Sequence, residues 1–269
     1  MELARVALAR LRERYAPGAQ DVTPDVIRAL RADPRGGARE LAESLDARAR
    51  REAAERSRLA QLFALERKLA SEGHARIAGV DEVGMGPLAG PVVAAAVILP
   101  ADAWLPGLND SKRLSRVARE RLAREIERVA LGIALGSVEP DEIDRLNVFR
   151  AGLLAMRRAV EALATAPDAL VVDARRVPGI ACRQESLVGG DSRVAAIAAA
   201  SIVAKVFRDA RMEELDRHHP GYGFARHAGY GTPEHLAALS KLGPSPIHRY
   251  SFEPVRACAS RAGDPCRTS

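Results

Sequence analysis

Two adjacent carboxylates, Asp81 and Glu82, close an apolar run in the stretch IAGVDEVGMGPLAGP, residues 77–91, and Gly84, Gly86, Pro87 and Gly90 follow at once. Glycine and proline punctuate strands, so this pattern predicts a buried strand whose last residues are acids facing a crevice. Two unit negative charges about 4 Å apart repel by roughly 4 kcal/mol at an effective dielectric near 20. Any further acids converging there need protons or bound cations. Two candidates occupy comparable places: Asp173 ends the apolar run 169–172, and Asp191 follows Gly189 and Gly190 just ahead of an alanine-dense helical stretch. Asp191 is also suited, with Ser192, to cap that helix; cap and ligand are compatible because a helix N-terminus favours anions. Four carboxylates at element ends form an all-oxygen donor set, which selects magnesium or manganese over zinc. A pair of such ions suits in-line displacement at a phosphate, one activating water and the other stabilising the leaving oxygen.

The elements that must hold these acids are legible in outline. Residues 77–81 and 92–99 are Val- and Ala-rich with a glycine- and proline-bearing turn between them, which predicts antiparallel neighbours. LNDSKRLS, 108–115, reads as a polar loop closing on Ser115, the cap of an amphipathic helix running to Val129. A third strand is expected over 131–138, one helix over 141–164, strands over 169–172 and 184–188, and a long helix over 194–217 stopped by Pro220. Thr232 and Pro233 start a short further helix. Strands first, then alternating strand and helix, predict an α/β domain with a mixed sheet.

Residues 1–57 read as a separate helical piece, and 58–269 as the main domain. Leu3, Val6, Leu8 and Leu11 form one apolar face, Thr23 with Pro24 opens a second helix, and a third runs from Ala38 into the densely charged DARARREAAERSR, expected to be a solvated face. The chain of 269 residues carries a net charge of +6, which favours a polyanionic partner. Position says more than the total: Tyr222, Phe224, Tyr230, Tyr250 and Phe252 lie in one C-terminal stretch with His218, His219, His227, His235, His248, Arg226, Lys241 and Arg249. Aromatic rings interleaved with cations predict a surface that stacks on sugars or bases while holding phosphates. Cys182, Cys258 and Cys266 form no CxxC pair, which argues against a zinc site or disulfide framework and for a reducing compartment. No apolar run spans a membrane and no targeting segment is evident, so a cytoplasmic protein is expected.

With these residues in place, the chain resembles the bacterial ribonuclease HII family. DEVGMGPLAGPVVAAAVIL, LNDSKRLS, VVDARRVPG, GGDSRVAAIAAASIVAKVFRD and GYGFARHAGYGTPEHLAALSKLGPSPIHRYSF match its ordered blocks over most of 77–252. The resemblance implies a ribonuclease H-like mixed sheet flanked by helices, with a small all-helical N-terminal extension and a helical C-terminal segment that contacts substrate. It implies a monomeric endonuclease that cuts RNA in RNA/DNA hybrids and at ribonucleotides embedded in duplex DNA. It maps the metal site for Mn2+ or Mg2+ onto Asp81, Glu82, Asp173 and Asp191. Substrate contacts map onto Gly84, Met85, Gly86, Lys112 and Tyr230, with Tyr230 sensing the junction. The chain departs from the family at Met85, where arginine is usual in a turn that reads the ribose 2′-hydroxyl; the flanking glycines still permit close backbone approach. Two alternatives remain: a hybrid nuclease like ribonuclease HIII without junction preference, and a non-catalytic hybrid-binding module. The latter has no need of four acids that repel the substrate.

Overall fold

The computed structural model describes residues 3–16 and 22–262. Cys266 lies outside them; Cys182 and Cys258 are free thiols. The chain divides into two compact units, one up to Ala60 and one from Gln61.

The first unit holds α1 (Leu8–Arg14), α2 (Pro24–Arg31) and α3 (Gly36–Leu62). The continuous helix expected from Leu3 is instead a single 3-10 turn, Leu3–Arg5, followed by α1, with Ala7 extended at the cap. Leu11, Tyr15, Ile27, Leu30, Ala38 and Leu45 pack into one small core. Thr23 caps α2 by accepting from the Val26 N–H at 3.3 Å, with Pro24 in its first turn. Arg35 ties the loop before α3 together, donating to Asp33 and to the carbonyls of Val6 and Leu3. The charged stretch 46–58 is helical and mostly solvated, as its composition requires. The boundary expected after Ser57 lies inside α3.

The second unit is built on β1 (Ile77–Val83), β2 (Val92–Ile98), β3 (Gly132–Val138), β4 (Ala169–Asp173) and β5 (Arg183–Leu187), in the order β3-β2-β1-β4-β5. β1, β2 and β3 pair antiparallel; β4 joins β1 and β5 in parallel. Around them lie α4 (Ala64–Ser71), α5 (Arg116–Val129), α6 (Pro140–Leu146), α7 (Val148–Glu161), α8 (Ala195–His218), α9 (Phe224–His227), α10 (Pro233–Leu242) and α11 (Glu253–Ala262). The two faces of β1 belong to different layers. Ala78 and Val80 join the core under α7, with Ala151, Ala155 and Met156. Ile77 joins the core under α8, with Ala196 and Ile197. Gly79 faces α8 too: a methyl group there would sit 2.0 Å from the Ala196 carbonyl carbon, so only glycine lets the helix lie this close.

Two expectations are corrected. The single helix over 141–164 is broken at Asn147, which adopts φ 72° and caps α7 by accepting from the Arg150 N–H at 3.0 Å. Asparagine supplies the capping oxygen for the new helix start, a local preference that outweighs the continuous apolar spacing. Asp191 and Ser192 do not cap α8. Its cap residue is Val194, and the Ala196 N–H donates to Glu66 Oε1 of α4 at 2.9 Å. Glu66 is buried, which pushes its carboxyl above the usual range. Among the described residues no helix is long and apolar enough to cross a membrane.

The contact at Gly79 makes a test of the scaffold. Gly79→Ala must lift α8 from β1 and is expected to cost about 3 kcal/mol or more, read from the urea midpoint of unfolding.

Candidate active site

Strand register explains how three of the four acids meet. β1 and β4 run in parallel with Val80 opposite Val172, so the next residue on each, Asp81 and Asp173, emerges on the same face at the same end. That is the face covered by α8. Asp191 follows in a 3-10 turn, Gly190–Ser192, and the Gly190 N–H donates to Asp173 Oδ1 at 2.8 Å, which draws this turn against the end of β4. Glu82 has the opposite parity on β1 and leans to the α7 side, where its Oε1 meets Arg175 Nη1 at 2.9 Å. Sequence order placed the four acids at or near element ends; the pleat sends Asp81 and Asp173 to one face and Glu82 to the other, and Asp191 arrives on its own turn.

Burial shapes the electrostatics. Asp81 is 6% exposed. Desolvation first, then the charges of Glu82, Asp173 and Asp191, push its carboxyl up to about 8, against a hydrogen bond from Ser201. Burial likewise raises Glu82, opposed by Arg175, and raises Asp191, where Asp110 adds repulsion and Lys112 relieves it. Lys112 Nζ stands 3.4 Å from Asp191 Oδ2 and is otherwise largely exposed. Among the described residues, these acids form just those two ion pairs, through Arg175 and Lys112. Negative charge is therefore in surplus, and every donor atom is carboxylate oxygen, which fits a hard divalent cation. The side chains are not drawn into a preformed cage: among the described residues no group of three or more His, Cys, Asp or Glu is arranged to hold a metal. Each acid is turned instead to its own partner, as repulsion between uncompensated charges dictates.

The glycine turn and Tyr230 come together beside the acids. A methyl group at Gly86 would meet the Tyr230 ring at 3.7 Å, and the half-exposed ring borders a cleft of about 290 Å³ whose charged lining is Arg116, Arg119, Lys205, Arg226, Asp209 and Glu213. The Leu88 N–H donates to the Gly229 carbonyl at 2.8 Å, joining turn to turn.

Sequence reasoning missed the residues that hold this assembly. Arg249 is fully buried and donates to the carbonyls of Gly84, Met85 and Gly90. Arg208, also fully buried, donates to Pro91, Ala228 and Ala89. Ser201 on α8, a lone hydroxyl among alanines, bonds Ser111 of the LNDSKRLS loop at 2.8 Å and reaches Asp81. The expected aromatic and histidine surface is partly an interior. Tyr222, Phe224, His235, His248 and Arg249 are buried, with Tyr222 stacked on Phe224 and His235 on His227; Tyr230, Tyr250, His218, Arg226 and Lys241 remain exposed. The buried members find partners in one another and in backbone carbonyls.

Within that interior the proton positions are determined by the hydrogen bonds. The Ser245 N–H donates to His248 Nδ1 at 2.9 Å, so that nitrogen is bare and His248 Nε2 donates to His235 Nε2 at 3.1 Å. His235 then carries its proton on Nδ1 and gives it to the Tyr230 carbonyl at 2.9 Å. A directed chain of neutral imidazoles anchors the backbone of Tyr230.

A mixed sheet with clustered carboxylates at the ends of adjacent strands defines a ribonuclease H-like hydrolase. The family profile described as Ribonuclease HII matches residues 78–255, and that of the Ribonuclease HII N-terminal domain matches 12–70. Ribonuclease HII of Myxococcus xanthus is 50% identical over 256 residues, 95% of this chain and 87% of its own length. That of Geobacillus thermodenitrificans is 54% identical over 227 residues, 84% of this chain and 87% of its own. Among solved structures, ribonuclease H2 from Pyrococcus horikoshii superposes with a TM-score of 0.59 at 25% identity, covering 69% of this chain and 98% of the other. The chain belongs to the ribonuclease HII family and is a metal-dependent endoribonuclease.

The histidine chain has a measurable pH signature. Burial and the neighbouring His235 lower His248 to about 4, whereas an unfolded histidine titrates near about 6.5. The unfolded state therefore binds the extra proton between those values, and stability should fall as pH drops through this window. His248→Leu should flatten that slope. It orphans His235 Nε2 and the Ser245 N–H, at about 2 to 6 kcal/mol in a denaturant titration.

Proposed function

We propose that this chain hydrolyses the RNA strand of RNA/DNA hybrids and cuts 5′ of single ribonucleotides embedded in duplex DNA, as a cytoplasmic monomer. The observation that carries the reading is the convergence of Asp81, Asp173 and Asp191 on one face of parallel strand ends, with Glu82 at the rim. Asp81, Glu82, Asp173 and Asp191 would hold two Mn2+ or Mg2+ ions. Such ions supply a nucleophile from water at neutral pH and stabilise charge on the leaving oxygen.

The chain's own residues select and orient the substrate. Gly84 has φ 90° and no room for a side chain against Arg208 and the Pro91 carbonyl, and Arg249 draws the carbonyls of Gly84, Met85 and Gly90 inward. Backbone groups there can approach a ribose 2′-hydroxyl, the group that separates RNA from DNA. Tyr230 packs its ring against the sugar next to the cut phosphate, on a backbone held by His235 and with the ring beside Gly86. Lys112 and the basic cleft beside Tyr230 offer donors to the strands on either side. Buried and surrounded by carboxylates, Asp81 needs a cation to stay ionised, so cation and substrate are expected to bind together.

The decisive experiment is cleavage of duplex DNA carrying one ribonucleotide, with metal omitted as the control. Asp81→Asn or Asp173→Asn should lower turnover about a thousandfold or more while duplex binding persists. Near-normal turnover of either purified variant overturns the assignment. Cleavage of hybrids with none at the embedded ribonucleotide would favour the alternative without junction preference. The first unit holds none of these ligands, and its removal should leave the turnover number nearly intact.

A further inference from the structure

Arg175 lies just past the end of β4, at the rim of the acid cluster. It follows Ala174, whose φ of 53° puts a non-glycine residue in the left-handed region and turns the chain sharply after Asp173. The turn brings the guanidinium over the Phe149 ring at 5.0 Å and its Nη1 to Glu82 at 2.9 Å. That atom makes the ion pair alone, with no directed hydrogen bond. Phe149 is 54% exposed at the start of α7. Gly152, one turn on, marks the same patch: a methyl group there would lie 2.9 Å from Met85 Sδ and 3.2 Å from Arg175 Nη1. The tips of Met85 and Arg175 are thus neighbours above one face of α7, at the edge of the glycine turn.

We infer that Arg175 is a substrate-binding residue whose guanidinium takes a backbone phosphate of the bound duplex beside the glycine turn. The inference rests on the functional reading above and adds a residue to it. Met85 offers that phosphate only an apolar surface and a weak acceptor sulfur. Four carboxylates nearby repel it. Arg249 at the same turn is buried and committed to carbonyls, whereas Arg175 is partly exposed, and a planar fork of donors matches phosphate oxygens. If neutralising Glu82 were its whole task, an aromatic shelf would be superfluous. The contact with the Phe149 ring holds the guanidinium without using its N–H groups, so those not facing Glu82 remain available to an acceptor. The pairing with Glu82 is then the resting state. Once Glu82 is engaged by a divalent cation its hold on Arg175 weakens, and the guanidinium is free for phosphate as substrate arrives.

The test is binding of a short RNA/DNA hybrid, followed by fluorescence anisotropy across a salt series in manganese, on full-length Asp81→Asn protein so that no cleavage intervenes. Arg175→Gln should weaken binding about tenfold and reduce the salt slope by about 0.9, one phosphate contact's worth of released counterion. Arg175→Lys should keep most of the slope. Met85→Arg added to Arg175→Gln should restore both affinity and slope, which a misfolded variant could not do. Titration of manganese alone into Arg175→Gln should show affinity no weaker than in the parent. An unchanged slope overturns the proposal and leaves Arg175 as a partner of Glu82 only, as does weakened binding that Met85→Arg fails to rescue. Failure of the parent protein to bind the hybrid would instead refute the functional reading itself.

Discussion

The structure depends on keeping like charges together in a place that water barely reaches. Asp81 is buried at the end of β1, beside Asp173 on β4 and near Asp191, and burial outweighs every other influence on its protonation. Bringing strand ends this close requires a helix that can lie almost on the sheet. The alanines of α8 and the absent side chain at Gly79 provide that approach, and Ser201 on the same helix meets Asp81 with a hydroxyl. Among the described residues few cations face the cluster: Arg175 on Glu82 and Lys112 on Asp191. A site more fully neutralised by its own arginines and lysines would hold divalent ions less well.

Its most deeply buried cations are used elsewhere. Arg208 and Arg249 are enclosed by carbonyl oxygens, and for both, desolvation lowers the pKa, to about 9 for Arg249. Five donors in a rigid fork let one guanidinium satisfy several carbonyls, each charge-assisted bond being worth about 1.5 to 3 kcal/mol. The result is a loop from Gly84 to Pro91 with its carbonyls drawn inward and bound to the turn that bears Tyr230. Below it, the imidazole chain from Ser245 to Tyr230 does the same for the C-terminal segment. Crevice, glycine turn and tyrosine are thereby three parts of one hydrogen-bonded body, although Tyr230 lies far along the chain from the other two.

Much of this was legible without coordinates wherever the cause is local. Glycine and proline after the acids end β1, alternating and apolar runs predict β1 to β4, Ser115 and Thr232 cap their helices as their side chains dictate, and the acids lie at or near element ends. Only the tertiary structure decided the rest, because its causes lie far apart in the chain. Parallel register between β1 and β4 brings Asp81 and Asp173 to one face, while the pleat sends Glu82 to the other, toward Arg175. The cap of α8 comes from Glu66, 130 residues earlier, in place of the adjacent Asp191. Arg249, which composition assigned to a surface, is buried against carbonyls 159 to 165 residues away. A sequence pattern records which groups can hydrogen-bond or hide from water; which partner each finds is decided when burial removes water as the competing one.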